Sequence, residues 1–394
     1  VTTTSRSEVI SAVKILHTSD WHVGKVLKGQ SRAEEQKAVL AGVIEVARRE
    51  APDLIIIAGD LYDTAAPTPE ATRLVTRALT ALRRTGADVV AIGGNHDNGA
   101  ALDALRPWAD AAGITLRGNV REDPDEHIID GTTGGGERWQ LAALPFLSQR
   151  YAVRAVEMYE LTAAEANQTY ADHLGRIVAR LTEGFSEPNR VHLVTAHLTV
   201  VGAATGGGER DAHTVLGYAV PATVFPGTAH YVALGHLHRA QRVDGGCPIR
   251  YSGSPLAVDF GEQENVPSVT VVEVSATTAA QVREVPIPAA ATLRTVRGTL
   301  AQLAEVEVPD AWLRVFVREQ PRAGLREEVQ ELLPRALEIR IDPELVSAPG
   351  GGARVAQRAG RSPRELFGDY LDDRGHADDD VRGLFDELFE EVEH

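Results

Sequence analysis

The sequence has a single cysteine, Cys247, among its 394 residues. It can form neither an internal disulfide nor a thiolate metal site, so any bound metal must be held by nitrogen and oxygen. Long apolar runs are also missing. No stretch reaches the roughly 18 apolar residues a spanning helix needs, which excludes a helical membrane anchor within this sequence. The first thirteen residues mix Thr, Ser, Arg and Glu and lack the apolar segment of a secretory signal, so a cytoplasmic protein away from membranes is predicted. Lysine is scarce, confined to Lys14, Lys25, Lys28 and Lys37. Arginine suits phosphate geometry, although a genome-wide codon bias is the simpler cause of the skew. No basic surplus exists either: the net charge of −16 argues against coating nucleic acid by bulk attraction. Residues 362–394 carry twelve acids against three arginines, however, which leaves only −7 for the rest.

Against these absences stand 43% hydrophobic and 24% charged residues, the usage of an ordinary globular chain with two or three domains. Apolar runs at 14–19, 54–58 and 88–92 read as buried strands alternating with helices, the pattern of an α/β layer fold. Ser31 and Glu34 form the pattern of a capping box, followed by Val39, Val43 and Val46 at helical spacing. Thr68 and Pro69 open a second helix with Leu74, Val75, Leu79 and Leu82 on its apolar side, stopped by Gly86. Further strands are predicted at 139–144, 191–195, 231–234 and 268–274, and a helix at 162–182. Residues 281–341 read as a separate small unit of strands and two helices. Residues 347–361, with Gly350, Gly351 and Gly352 in a row, read as a flexible linker. Beyond it, Ser362 and Glu365 cap a short helix, and Val381, Leu384, Phe385, Leu388 and Val392 form a stripe suited to packing on another chain. The glycine triplets at 134–136 and 206–208 read as loop tips.

Chemistry-bearing residues stand just after predicted strands, where α/β folds place their ligands. Asp20 and His22 follow the first in SDWH, Asp60 and Asp63 the second in GDLYD, and Asn95, His96 and Asp97 the third in GNHD. Later come His197 in AHLT and the pair His236 and His238 in GHLH. One such fragment alone would be a turn or a core histidine; all of them, each at a strand end, point to a metal site. Two divalent ions about 3.5–4 Å apart can clamp a phosphodiester and lower the pKa of a shared water. Such a pair needs an anionic bridge and a shell of imidazole, carboxylate and carbonyl oxygen, a set that suits manganese or iron better than magnesium. Asp60 is the natural bridge. His96 would then reach the scissile phosphate without binding metal, with Asp97 orienting its ring.

These strings resemble the motif set of the calcineurin-like metallophosphoesterases. ILHTSDWHVGK (15–25), AHLTVVGA (196–203), ALGHLHR (233–239) and YSGSPLAVDFGE (251–262) together resemble the SbcD family, the nuclease subunits of bacterial SbcCD complexes. The resemblance implies an α/β phosphoesterase β-sandwich flanked by helices over 1–275, a small α+β capping domain over 276–345 and a linker over 346–361. It implies C-terminal helices over 362–394 that bind an SbcC-type ATPase. It puts Asp20, His22, Asp60 and His238 on one metal ion and Asp60, Asn95, His197 and His236 on the other, with manganese as the expected ion. It assigns His96 to the transition state or the leaving oxygen. It further implies a DNA substrate, exonuclease action on double strands and endonuclease action on single strands and hairpins. A homodimer that joins the ATPase as a heterotetramer is implied as well. Asp63 stands where archaeal and eukaryotic relatives carry a histidine.

Two rival readings are a phosphodiesterase for cyclic nucleotides or another small ester, and a partner-binding scaffold with an idle site. The scaffold would have lost a ligand, and none is missing. His17, His192, His213 and His230 lie outside the motifs and read as structural or solvent-exposed.

Overall fold

The computed structural model describes residues 12–158, 170–209, 218–287, 292–307, 310–346 and the positions 367, 371, 381 and 383–385. The apolar runs form the middle of a six-stranded sheet in which Val13–Thr18, Leu54–Ile57, Asp88–Ile92 and Ile114–Arg117 run parallel. Ser268–Val274 and then Gln281–Pro286 extend it antiparallel on the far side of Val13–Thr18. A second six-stranded sheet runs in the order Gln241–Val243, Ile249–Tyr251, Tyr231–Gly235, Arg190–His197, Arg138–Leu144, Ile128–Thr132. Its four middle strands are parallel and its edges antiparallel. Strands covered on both faces are apolar throughout, which is why Leu54–Ile57 reads LIII instead of alternating.

Between the sheets, Ile15, Ile56, Val90 and Ile92 share a core with Trp139, Leu141, Leu193 and Tyr231. Helices Ala33–Glu50 and Pro69–Arg83 cover the outer face of the first sheet with Val39, Val43, Val75 and Leu79, and Tyr170–Leu181 covers the second with Leu174, Ile177 and Val178. The predicted β-sandwich flanked by helices is therefore what the chain forms.

Helix starts show both a success and a failure of local reading. Thr68 Oγ1 accepts the Ala71 N–H, as expected of an N-cap. The capping box expected of Ser31 and Glu34 does not form: the cap position is Arg32, with no side-chain cap. The Arg32 guanidinium is buried and engages Glu35 and the Ala257 carbonyl, so a tertiary contact sets this helix start.

Gln281–Pro286, read from the sequence as the opening strand of the small unit, pairs instead with Ser268–Val274. The chain divides into one compact unit of Val1–Thr295 with Val308–Arg314 and another of Val296–Glu307 with Val315–His394. In the second, helix Leu300–Ala304 starts with a complete Thr299/Gln302 capping box, and Leu303, Leu325 and Val329 are buried. The predicted linker lies outside the described residues, as do His213, the start of the predicted helix at 162–182 and most of the predicted tail helices.

Two histidines outside the motifs are wired into the core as neutral rings. His127 Nδ1–H donates to the Ala143 carbonyl (2.8 Å), and Nε2 accepts the Arg121 N–H (2.8 Å). His17 Nε2–H donates to the Leu234 carbonyl (3.1 Å), and Nδ1 faces the Tyr231 hydroxyl (3.0 Å). Burial pushes His127 down to about 4 and His17 to about 3. Both pKa values lie below the unfolded value near 6.5, so the stability these rings contribute is complete above pH 6.5. It is lost as pH falls toward 4 and then 3, because only the unfolded chain takes up the protons. At pH 5 the loss is about 2 kcal/mol per ring. Urea midpoints at pH 7 and pH 5 should therefore fall steeply in the wild type and less so in His127→Gln. Equal pH dependence in the two would remove His127 from the account.

Candidate metal centre

Every motif residue sits at the carboxyl end of a parallel strand, and the two sheets bring those ends together. Asp20 and His22 follow Val13–Thr18, Asp60 follows Leu54–Ile57, and Asn95 and His96 follow Asp88–Ile92. From the second sheet, His197 ends Arg190–His197, and His236 and His238 follow Tyr231–Gly235. The turns are tight: Asp20, His22, Asp60 and His236 have φ of 54°, 45°, 52° and 101°. Left-handed conformations at non-glycine residues cost about 1–3 kcal/mol each and persist where the surroundings over-determine them. Here the Asp20 N–H donates to the Gly59 carbonyl and the His22 N–H to the Asp60 carbonyl, both at 3.0 Å, stitching the first two loops together. Gly94 must be glycine for a related reason, since a Cβ there would lie 2.1 Å from Asp60 Oδ1.

The side chains converge in two adjoining groups. In one, His22 Nε2 and His238 Nε2 are 3.0 Å apart and grouped with the Asp20 carboxylate. In the other, Asn95 Oδ1 lies 2.9 Å from His197 Nε2 and 2.7 Å from His236 Nδ1, with Asp60 alongside. Asp60 Oδ2 stands between the groups, 3.7 Å from His22 Nε2 and 3.4 Å from His197 Nε2. Apart from the partly buried Asn95, all these ligand residues are buried, at most 3% exposed.

The arrangement fits divalent cations. His238 commits its Nδ1–H to Glu262 Oε1 (2.6 Å) and His197 its Nδ1–H to the Ala58 carbonyl (2.8 Å), so each ring turns its Nε2 to the centre, where it holds a proton or, once that proton is displaced, offers a lone pair to a metal. His22 Nδ1 is buried without a hydrogen bond, its nearest carboxylate oxygen on Asp63 being 3.6 Å away. Nitrogens and oxygens facing one another across such distances need a positive charge between them, a proton or a divalent ion that displaces it. Without a metal, the site draws protons to the same place. Burial alone would lower His197 and His238, yet Asp60 and Glu262 outweigh it and push them up to about 9 and about 10. Burial raises Asp20 to about 6, against the pull of His238 and His197. Burial also opposes ionisation of Asp60, but His197, His22 and His96 hold it well below the usual carboxylate range. A set of imidazoles, two carboxylates and one amide suits a first-row divalent metal.

His96 and Asp97 are placed differently from the sequence reading. His96 is buried beside the cluster, its ring edge-on to His22 at 4.7 Å, and its N–H donates to Asp60 Oδ1 (2.8 Å). Its Nδ1–H donates to the Asp63 carbonyl (2.8 Å), so the ring is oriented by backbone of the GDLYD loop. Asp97 does not orient it. The Asp97 carboxylate accepts the N–H groups of Leu61 (3.1 Å), Tyr62 (2.9 Å) and Gly94 (2.8 Å), and thereby ties the second and third motif loops together. The expected orientation of the His96 ring by Asp97 is therefore not what the structure shows: the Asp63 carbonyl orients it instead. Burial would raise the Asp63 carboxyl, but His22 and Lys25 outweigh it and bring it down to about 2.

Glu262 is the residue that motif reading missed, although it closes the quoted YSGSPLAVDFGE string. It is 1% exposed; Oε1 accepts the His238 Nδ1–H and Oε2 accepts the Val258 N–H (2.8 Å). The second glycine triplet packs here too, since a Cβ on Gly208 would lie 1.9 Å from Glu262 Oε1. It is thus a close-packed wall and not a loop tip, whereas 134–136 does form a hairpin tip. Glu209 supports the same wall, accepting the N–H groups of Gly206, Gly207 and His238. Partners that fix a ligand's tautomer are worth about 10–100-fold in metal affinity. Glu262→Gln should therefore weaken one of two manganese-binding steps by that factor in calorimetry, and an unchanged isotherm would show that His238 needs no such anchor.

A profile of the calcineurin-like phosphoesterases matches residues 13–240, the span that holds every residue of the cluster. The SbcD subunit of the nuclease SbcCD from Escherichia coli (strain K12) is 32% identical over 322 residues, 77% of this chain and 78% of that protein. The chain belongs to the SbcD family of calcineurin-like phosphoesterases. Two further SbcD relatives agree. That of Bacillus subtilis (strain 168) is 36% identical over 66% of each chain, and that of Rhodobacter capsulatus is 33% identical over 70% of this chain and 69% of the other. As an SbcD-family member the chain is a metal-dependent phosphodiesterase with divalent cations as cofactors. Among the described residues, no helix is long and apolar enough to cross a membrane.

Proposed function

We propose that the chain is a DNA nuclease that uses two divalent ions, manganese by preference, and acts with an SbcC-type ATPase on DNA ends and hairpins. The supporting observation is the buried convergence of imidazoles, carboxylates and amide at the joined strand ends of two sheets, in a chain similar to nuclease subunits. In this reading Asp20, His22, Asp60 and His238 hold one ion, and Asp60, Asn95, His197 and His236 the other. Such ions, when bound, would polarise the phosphodiester and acidify the attacking water. Asp60 supplies the negative charge shared by both positions. His96, with Nδ1–H spent on the Asp63 carbonyl, presents Nε2 to the scissile phosphate and handles the proton at the leaving oxygen.

The nuclease domain, expected over 1–275, then extends through the strand Gln281–Pro286, and the rest of the span to 345 serves as the capping domain. Residues 346–361 are the linker, and 362–394 the helices that dock on the ATPase. The working unit is a homodimer, joined to the ATPase as a heterotetramer in the cytoplasm. With −7 of net charge outside the tail, tight duplex binding depends on the dimer and its partner. The test is cleavage of end-labelled linear and hairpin DNA with manganese, magnesium or chelator, with and without the ATPase. Manganese-dependent cutting stimulated by the partner is expected. Silence with partner present, alongside efficient hydrolysis of small phosphodiesters, would replace this reading with that of a small-ester phosphodiesterase.

A further inference from the structure

A cavity of about 870 Å³ opens beside the metal cluster, and Asn95 lines it. This is within the range of small-ligand sites. Phe146 stands on its wall next to a ligand of the centre, its ring edge-on to His197 at 6.2 Å and its N–H donating to the Gly93 carbonyl (2.9 Å). Helix Gln149–Met158 contributes Tyr151, Arg154 and Ala155. Among its described side chains this helix buries Ala152 at 0% and Ala155 at 2% exposed, while Tyr151 is left 55% exposed. Tyr151 is the one aromatic among the exposed large apolar side chains of the described residues. The Arg154 guanidinium lies one turn further along, 5.9 Å from the Tyr151 ring centroid, and no carboxylate among the described residues pairs with it. The acids on the wall are Asp97, whose oxygens are taken by backbone N–H groups, and Glu122.

An aromatic face kept in water, a cation beside it, and an opening onto a phosphodiester centre are the parts of a single-strand platform, on which bases stack with little regard to sequence. We propose that this cavity is a nucleobase subsite: the base next to the scissile phosphate stacks on Tyr151, and Arg154 meets the adjoining phosphate. This rests on the nuclease reading given above. The subsite gives a use to a large ring that the helix leaves in water beside the cavity. It also predicts a substrate preference, because a phosphodiester with a base gains a contact that a base-free diester lacks.

Two readouts test it on the full chain. The first compares hydrolysis of thymidine 5′-monophosphate p-nitrophenyl ester with that of bis(p-nitrophenyl) phosphate, in manganese. Wild type should prefer the thymidine ester, Tyr151→Ala should raise its KM about tenfold and bring the preference toward one, and Tyr151→Phe should restore it. The second is fluorescence of 2-aminopurine placed next to a non-hydrolysable phosphorothioate in single-stranded DNA. Binding should quench it in wild type and in Tyr151→Phe and leave it bright in Tyr151→Ala. DNA cleavage with an unaltered KM and unaltered quenching in Tyr151→Ala would overturn the subsite while leaving the nuclease reading intact. A wild-type chain that, with its ATPase partner present, cuts neither DNA nor the thymidine ester would overturn the nuclease reading and the subsite with it.

Discussion

Asp60→Ala should abolish turnover, by at least about 10³-fold in kcat/KM, and should do so by emptying both metal positions. Asp60 Oδ2 is the atom that faces His22 Nε2 and His197 Nε2 together, and Oδ1 takes the His96 N–H, so one carboxylate serves both groups and the neighbouring histidine. Its removal also frees His197 from the charge that holds its pKa up, leaving burial to drive the ring neutral. Metal content measured after dialysis against manganese should fall from two ions per chain toward none, with unfolding of the metal-free protein still cooperative. Asp60→Asn keeps the shape and the Oδ1 contact and separates charge from geometry: it should retain the fold and lose most of the metal. Two ions retained with activity lost would mean that Asp60 acts on substrate and is not the bridge.

The ligands were legible in the sequence because their chemistry lies in residue type and in position after an apolar run. Leu54–Ile57 is buried on both faces, hence LIII, and Asp60 comes three residues later. What failed to show depends on tertiary context. Ile114–Arg117 has only four residues and no distinctive flanks, so its place as edge strand follows from its pairing with Asp88–Ile92. Gln281–Pro286 is mostly exposed, with Val282 and Val285 on opposite faces and no alternation, and nothing local says that its partner is Ser268–Val274. Glu262 is recognisable as the anchor of His238 only when the two are brought to 2.6 Å across 24 residues of chain. Asp97 misled because adjacency to His96 in GNHD suggested a dyad. Yet consecutive residues in a tight turn point different ways, and the carboxylate turned inward to three N–H groups that otherwise had no acceptor. Tyr151 carried no motif at all; only the cavity beside it gives the exposed ring a meaning.

His96→Ala should leave both ions in place and lower kcat about 10²–10⁴-fold with little change in KM, the signature of a group that handles a proton in the transition state. The expectation is not trivial, because His96, His22 and Asp63 also present ligand atoms within 4.8 Å of one another. The hydrogen bonds favour the proton role. Nδ1 is committed to the Asp63 carbonyl and the backbone N–H to Asp60, so the ring is oriented without any metal, as a transfer group needs. His22, by contrast, has Nδ1 without a hydrogen bond and Nε2 against His238 Nε2, the environment of a ligand. Manganese titration and turnover measured on the same His96→Ala preparation decide between the two. Unchanged stoichiometry with depressed kcat assigns His96 to the proton. Loss of an ion in step with activity would make it a ligand alongside His22 and Asp63, and an unchanged rate would leave it no part in the reaction. The order of effects is itself informative: Asp60→Ala should be lost to metal and chemistry alike, His96→Ala to chemistry alone, and Glu262→Gln chiefly to the affinity of one ion.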